Sequence, residues 1–250
     1  MKIVTITNNK YWKGTIVMIK SLIRTFDHYT IFPIEIWATE KIDNPNEFER
    51  IIHYKTINPE LIKAFENRNE GIVQRIIPAI LKLDLWLPEH ENTLYIDSDI
   101  LFFKNFNLSE FLSIAKTKKF YAIADYGFGI NMGLFYKTKS NDITEYNKIL
   151  EIAKTTNKLP LLDQSVINIL YKNNIDEYTH PKGTGLDFTK RHFNDNIFDL
   201  ELLAKAKMIH YVGAKKPWME MKPEFHNKES QYKKIEKLWS QYFTNTFLAK

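Results

Sequence analysis

Residues 94–103 read LYIDSDILFF, ten residues in which Asp97 and Asp99 are the only charges. The length and the β-branched and aromatic content are those of a buried strand. An ionised carboxylate there loses hydration that apolar neighbours cannot replace, so a cation has to meet it. In a strand, positions i and i+2 point to one side, which predicts that the two carboxylates converge on one point. Two convergent hard oxygen ligands suit Mg²⁺ or Mn²⁺, ions that commonly bridge protein carboxylates to phosphates. Twelve aspartates in 250 residues give about 0.6 Asp-x-Asp pairs by composition alone. The pair therefore carries weight through its apolar setting.

The elements that must position such a pair follow from periodicity. IVTIT (3–7) predicts a strand and Asn8–Lys10 a polar turn, and residues 15–26 carry apolar side chains at helical spacing. A second strand is expected over 31–39, with Pro33 near its start where a missing N–H is tolerated. Residues 72–87 are amphipathic and read as helical from Pro78 onward, because proline suits a first turn. Further strands are expected at 120–126, 130–137 and 207–212, and a helix at 163–173 with Asp163 at or near its N-cap. Strand–helix–strand order predicts a single α/β domain around a largely parallel sheet. In such open sheets ligands sit beyond the carboxyl ends of the strands, where the loops at 7–11, 97–99, 127–133 and 210–216 could gather.

Bulk properties narrow the function. At 29.7 kDa, with 44% hydrophobic and 14% aromatic residues, the chain has a globular composition with ample core. The absence of cysteine excludes disulfides, zinc–thiolate sites and thiol nucleophiles. The first residues hold too short an apolar stretch for a signal peptide, and no run approaches the roughly 18 apolar residues of a membrane span. A cytoplasmic protein is expected. Net charge +5 and pI ≈ 9.0 favour anionic partners. Nucleic acid is not expected among them, since the basic residues are not clustered with aromatics on one element.

Four further segments accompany the aspartate pair: TITNNKY at 5–11, NMG at 131–133, DQ at 163–164 and HYVGAKKPW at 210–218. In this order they resemble the glycogenin-like glycosyltransferases of family 8, which include bacterial lipopolysaccharide galactosyl- and glucosyltransferases. The most specific element is H-x-x-G-x-x-K-P-W, here His210, Gly213, Lys216, Pro217 and Trp218, and the resemblance runs from about Lys2 to Trp218. It implies a GT-A fold over residues 1–220 with a mixed, largely parallel sheet flanked by helices. It also implies a UDP-sugar donor (UDP-glucose or UDP-galactose), a saccharide or lipid-linked oligosaccharide acceptor, Mn²⁺ or Mg²⁺, and hexosyl transfer with retention of anomeric configuration.

Residue by residue, the resemblance makes Asp97, Asp99 and His210 metal ligands, a set whose imidazole favours Mn²⁺ over Mg²⁺. It puts Thr7, Asn8 and Tyr11 at the base and ribose, with Asn9 standing where relatives often carry aspartate. Lys82, Ser98, Asn131 and Gly133 would line the sugar and phosphate side. Gly213 would let backbone approach the ligand, so that Lys216 meets the leaving diphosphate. Asp163 and Gln164 would sit near the anomeric carbon. A glutamine is too weak a nucleophile to favour a glycosyl-enzyme, which leaves attack by the acceptor on the face the diphosphate departs from.

A metal-dependent sugar-nucleotidyltransferase or phosphohydrolase also uses paired carboxylates. The former usually carries a glycine- and basic-rich phosphate loop early in the chain. Here that place holds TNNKYWKG, with one glycine and no arginine. After Trp218 the resemblance fades. Residues 229–248 place Tyr232, Ile235, Leu238, Trp239, Tyr242 and Phe243 at three- and four-residue spacing, with Lys233, Lys234 and Lys237 between them. A basic amphipathic helix is expected within an extension over 221–250. Two destinations are open for its apolar stripe: the main domain, or the anionic inner face of a membrane where a lipid-linked acceptor resides.

Overall fold

The computed structural model describes residues 1–26, 32–66, 73–103, 106–125, 129–138, 143–174, 179–180, 207–211, 216–219, 237 and 239–241. The chain forms two compact units interleaved in sequence. Met1–Asn9, Phe32–Asp97 and Ser109–Pro181 make the first, and Lys10–Ile31, Ser98–Leu108 and Lys182–Lys250 the second.

In chain order the elements begin with β1 (Lys2–Thr7), α1 (Trp12–Ile23), β2 (Ile34–Ala38), β3 (Ile52–Tyr54), α2 (Pro59–Glu66) and α3 (Val73–Leu81). They continue with β4 (Thr93–Ile96), β5 (Ile100–Phe102), α4 (Leu108–Ala115), β6 (Phe120–Asp125), β7 (Gly129–Lys137) and α5 (Thr144–Thr155). Last come α6 (Asp163–Leu170), β8 (Thr179–His180) and β9 (Met208–His210). Short 3₁₀ turns at Asn46–Ile51 and Lys82–Trp86 precede β3 and follow α3.

The first unit is built on a seven-stranded sheet of order β3-β2-β1-β4-β7-β6-β8. β3, β2, β1 and β4 are parallel neighbours, β7 is antiparallel to β4 and to β6, and β8 rejoins β6 in parallel. The sheet is largely parallel, as the element order predicts, and mixed with flanking helices, as the resemblance implies. β4 is buried at every position and β1 at all but its first. Covered on both faces, such strands read as apolar runs rather than alternation. On one face Val4, Ile6, Trp37, Tyr95, Phe120 and Phe135 meet residues of α2, the Lys82–Trp86 turn, α5 and α6. Trp86 is the hub: its ring lies 5.4 Å from Phe135 and 5.6 Å from Phe120, and its N–H donates to Tyr171 Oη at 3.1 Å. The indole's polar end is thus satisfied inside the core. On the opposite face, Phe111 of α4 packs against Tyr121.

Three expectations need correction. The run 94–103 is not one strand: β4 stops at Ile96, Ser98 and Asp99 make a turn, and β5 pairs with β9 in a separate two-stranded sheet. Asp-Ser-Asp is three turn-prone residues in succession, and they break the extension that the apolar flanks promise. α3 starts at Val73, with Pro78 inside it. The missing N–H there removes one helical bond, which the burial of Ile80 and Leu81 outweighs. The first helix starts at Trp12 rather than residue 15.

In the second unit α1 is buried at nine of its twelve positions, including Trp12, Ile16, Val17, Met18 and Leu22. Its Ser21 Oγ accepts the Phe102 N–H of β5 at 3.1 Å. Trp239, in a helical stretch near the end of the chain, is buried and packs on Trp218 with ring centroids 5.5 Å apart. At this position the tail's stripe faces the protein; most of 229–248 lies outside the described residues. No helix among the described residues is long and apolar enough to cross a membrane.

Candidate active site

In the first unit, the carboxyl ends of parallel strands carry Thr7 as the last residue of β1, Asn8 just after it, and Asp97 after β4. This is the edge at which open α/β sheets take ligands. Tyr95 Oη donates to Asp97 Oδ1 at 2.7 Å, Lys82 Nζ lies 2.9 Å from the same oxygen, and the Asp97 N–H donates to the Gly133 carbonyl at 2.7 Å. Lys82 also stands 3.3 Å from Asp163 Oδ2 and donates to the Met132 carbonyl at 3.4 Å. At 8% exposure it is no solvated surface lysine. Its ammonium is met by two carboxylates, which offsets the cost of burying it. Asn131 Oδ1 accepts the Gly133 N–H at 2.8 Å, in the part of β7 where the register with β6 slips between Ala122 and Ile123. The irregularity leaves Gly133 without a partner in the β6 ladder, while Asn131 stays in register with Ile123.

α6 opens on Asp163 directly after Leu162, whose φ of 48° is a left-handed conformation rare for a leucine. Such strain persists only where its surroundings enforce it, and it clusters at functional sites. Asn168 supplies part of the enforcement. Its Nδ2 donates to the Ile130 carbonyl at 3.0 Å and its Oδ1 accepts the Ile130 N–H at 2.8 Å, fastening α6 to β7. Burial pushes the Asp163 carboxyl up, the Lys82 ammonium opposes, and the charge of Asp97 adds to the rise. Gln164 follows, half-buried, its carbonyl accepting from Asn168 Nδ2 at 2.8 Å.

Asn9 departs from the expected aspartate for a local reason. Its Nδ2 donates to the Lys41 carbonyl at 2.9 Å and its Oδ1 accepts the Asp43 N–H at 3.0 Å, while its own N–H donates to Glu40 at 2.8 Å. An aspartate could not donate to a carbonyl.

In the second unit β5 and β9 run antiparallel with Ile100 opposite His210, and the Tyr211 N–H donates to the Asp99 carbonyl at 2.9 Å. His210 Nε2 lies 3.1 Å from Asp99 Oδ1, and Lys216 Nζ donates to Asp99 Oδ2 and to the Tyr211 carbonyl. Burial pushes the Asp99 carboxyl up, but the Lys216 and His210 charges outweigh it and hold it well below the usual carboxylate range. Asp99 Oδ1 is buried, with the His210 imidazole beside it. Donor atoms on one octahedral ion stand about 3 Å apart. The carboxylate oxygen and imidazole nitrogen therefore fit a shared cation.

Tyr11, at the start of α1, meets Trp218 edge-on at 6.4 Å and 77°, with Lys216 Nζ 6.0 Å from its ring centroid. The Trp218 N–H donates to the Lys10 carbonyl at 3.0 Å. Gly14 admits this close approach: a Cβ there would lie 2.7 Å from the carbonyl oxygen of the buried Ser98, and closer still to the indole. Gly213 lies outside the described residues.

No protein-family profile matches the chain, and no curated protein does. Solved structures do match. The galactosyltransferase LgtC, solved with donor and acceptor sugar analogues, aligns with a TM-score of 0.65 over 98% of this chain and 96% of LgtC, at 16% identity. The fold is GT-A. The bifunctional glycosyltransferase WbbM aligns at a TM-score of 0.60 and 16% identity over 97% of this chain and 51% of its own. GlyE of Streptococcus pneumoniae aligns at 0.58 and 19% over 98% and 63%. This GT-A chain thus spans about half of WbbM and under two thirds of GlyE.

Sequence reasoning missed Tyr95, Asn168 and Leu162. Tyr95 had a signal, since a hydroxyl two residues before Asp97 lies on its side of an extended chain. Asn168 had a weaker one, an amide within an apolar helix, and nothing in the sequence marks the backbone of Leu162.

Proposed function

We propose that this chain is a glycosyltransferase that moves a hexosyl group from UDP-glucose or UDP-galactose to a saccharide or lipid-linked oligosaccharide, with Mn²⁺ and with retention of configuration. The observation that carries the reading is Asp99 flanked by the His210 imidazole and the Lys216 ammonium in a chain with the GT-A fold. Asp97 ends one unit and Asp99 follows two residues later, so their Cα atoms are no more than about 7.6 Å apart. Asp97, Asp99 and His210 can each offer one ligand atom, and this oxygen and nitrogen set suits Mn²⁺. The ion would supply positive charge for the leaving diphosphate.

The chain's own residues would do the rest. Lys216 would lend its ammonium to the diphosphate as negative charge grows there. Tyr11 would offer a ring face to the base, with Thr7 and Asn8 at the ribose and Ser98 and Gly213 giving backbone close to the phosphates. Lys82, Asn131 and Gly133 would line the sugar, Asp163 would orient it, and Gln164 would lie beside the anomeric carbon. With an amide there, no stable glycosyl-enzyme is expected, and the departing phosphate oxygen takes the acceptor's proton.

Thermal stabilisation by UDP, and slow hydrolysis of a panel of UDP-sugars, each with Mn²⁺ and with chelator, test the reading. UDP is expected to stabilise the protein only with Mn²⁺, and Asp97→Ala or Asp99→Ala to abolish that gain with the circular dichroism unchanged. UDP affinity that survives excess chelator removes the metal role. A β-linked first product from an α-linked donor, read by proton NMR, removes the retaining mechanism.

A further inference from the structure

We propose that Tyr95 is a positioning residue for Asp97, its hydroxyl fixing which carboxylate oxygen is presented to the metal. The inference rests on the reading of Asp97 as a metal ligand. Tyr95 sits in β4 at 1% exposure, with its ring stacked on Phe135 at 4.9 Å and 23°. Phe135 belongs to the aromatic core around Trp86, so the ring has no room to swing. From this fixed ring the hydroxyl reaches Asp97 Oδ1 at 2.7 Å. Lys82 Nζ approaches that same oxygen at 2.9 Å and stands 5.2 Å from the Tyr95 ring centroid, a distance at which ring and ammonium also attract. Two donors on one oxygen set the rotation of the carboxylate about Cβ–Cγ. With Oδ1 engaged by these two donors, Oδ2 would be the oxygen offered to the metal.

The two donors are not equivalent. Lys82 divides its ammonium among Asp97, Asp163 and the Met132 carbonyl, so its hold on Asp97 follows whatever happens at Asp163. Tyr95 is neutral and is carried by the sheet itself. It orients the carboxylate without adding charge, leaving the ligand its full negative charge for a cation. Hydrogen bonds to ligating carboxylates are worth about 10- to 100-fold in metal affinity.

The test is Mn²⁺ titration of the full chain, without nucleotide or sugar, by isothermal calorimetry and by loss of the free-ion electron paramagnetic resonance signal. Wild type, Tyr95→Phe, Asp97→Asn and Tyr136→Phe are compared. Tyr136 is also a buried sheet tyrosine, its hydroxyl bonded to Asn92 at 3.3 Å, and it controls for general loosening. Tyr95→Phe keeps the ring stack and is expected to weaken Mn²⁺ about tenfold, while Tyr136→Phe leaves it unchanged and both keep the melting temperature seen in chelator. Unchanged Mn²⁺ affinity in Tyr95→Phe overturns the proposal, as does an equal loss in Tyr136→Phe. Wild-type affinity in Asp97→Asn overturns the underlying reading of Asp97, a result separate from either outcome at Tyr95.

Discussion

Asn9 differs from aspartate by one amide group, and that group ties the chain after β1 to the loop at Glu40–Asp43 through donor and acceptor at once. Asn9→Asp would keep the acceptor for Asp43, lose the donor to Lys41, and set a second carboxylate near Glu40. These contacts are exposed, so the expected loss is at the low end for a hydrogen bond, about 0.5–1 kcal/mol in urea melts. An unchanged midpoint would mean that the loop is held by other contacts. Lys82 marks the limit of reading single residues. The family resemblance implied a ligand contact for it, but its two carboxylate partners come from other segments of the chain, and no local pattern announces them. The turn at Leu162 is equally silent, because a backbone angle forced by neighbours leaves no trace in residue type.

At the scale of elements, long periodic segments were legible and interrupted ones were not. β1, β2, β6, β7, α6 and β9 lie where apolar patterning puts them, within a few residues. α4 was missed although Leu108, Phe111, Leu112 and Ala115 are buried at helical spacing, and so was α5 with Tyr146, Ile149 and Ala153. The break within 94–103 was masked because its flanks are equally apolar on both sides. β2 carries a pH-dependent contact. His90 packs against Trp37 of this strand at 4.7 Å and 60°. Burial first, and the Lys2 charge second, push its pKa from 6.5 down to about 4. The folded state therefore keeps the imidazole neutral. This contribution is complete above pH 6.5 and is lost as pH falls from 6.5 toward 4, by up to about 3 kcal/mol. Denaturant melts between neutral pH and pH 4 should show His90→Phe losing less stability than wild type; parallel losses would assign the acid sensitivity elsewhere.

For the whole molecule, the sheet architecture was legible because strand–helix alternation constrains topology strongly. The interleaving of two units was not. The chain passes between them at Asn9–Lys10, Ile31–Phe32, Asp97–Ser98, Leu108–Ser109 and Pro181–Lys182, and no compositional linker marks these points. The pairings differ in reach as well. β1 joins β2 through Thr5 and Ile36, whereas β5 joins β9 through Leu101 and Ile209. Closing the longer loop costs more chain entropy and is slower. Pulse-labelled hydrogen exchange during refolding should protect β1, β2 and β4 amides before those of β5 and β9; simultaneous protection would show one cooperative step.

The same interleaving gives the nascent chain a timetable. All residues of the first unit have been synthesised once Pro181 is added, while the second unit still lacks Lys182–Lys250. A ribosome adding about 5–20 residues per second spends several seconds between Pro181 and Trp239. Until His210 is added Asp99 has neither its imidazole nor its ammonium neighbour, and α1 has not yet met the indole of Trp218. The neighbours of Asp99 are thus among the last parts of the molecule the growing chain acquires, and a chain halted before residue 210 has neither of them.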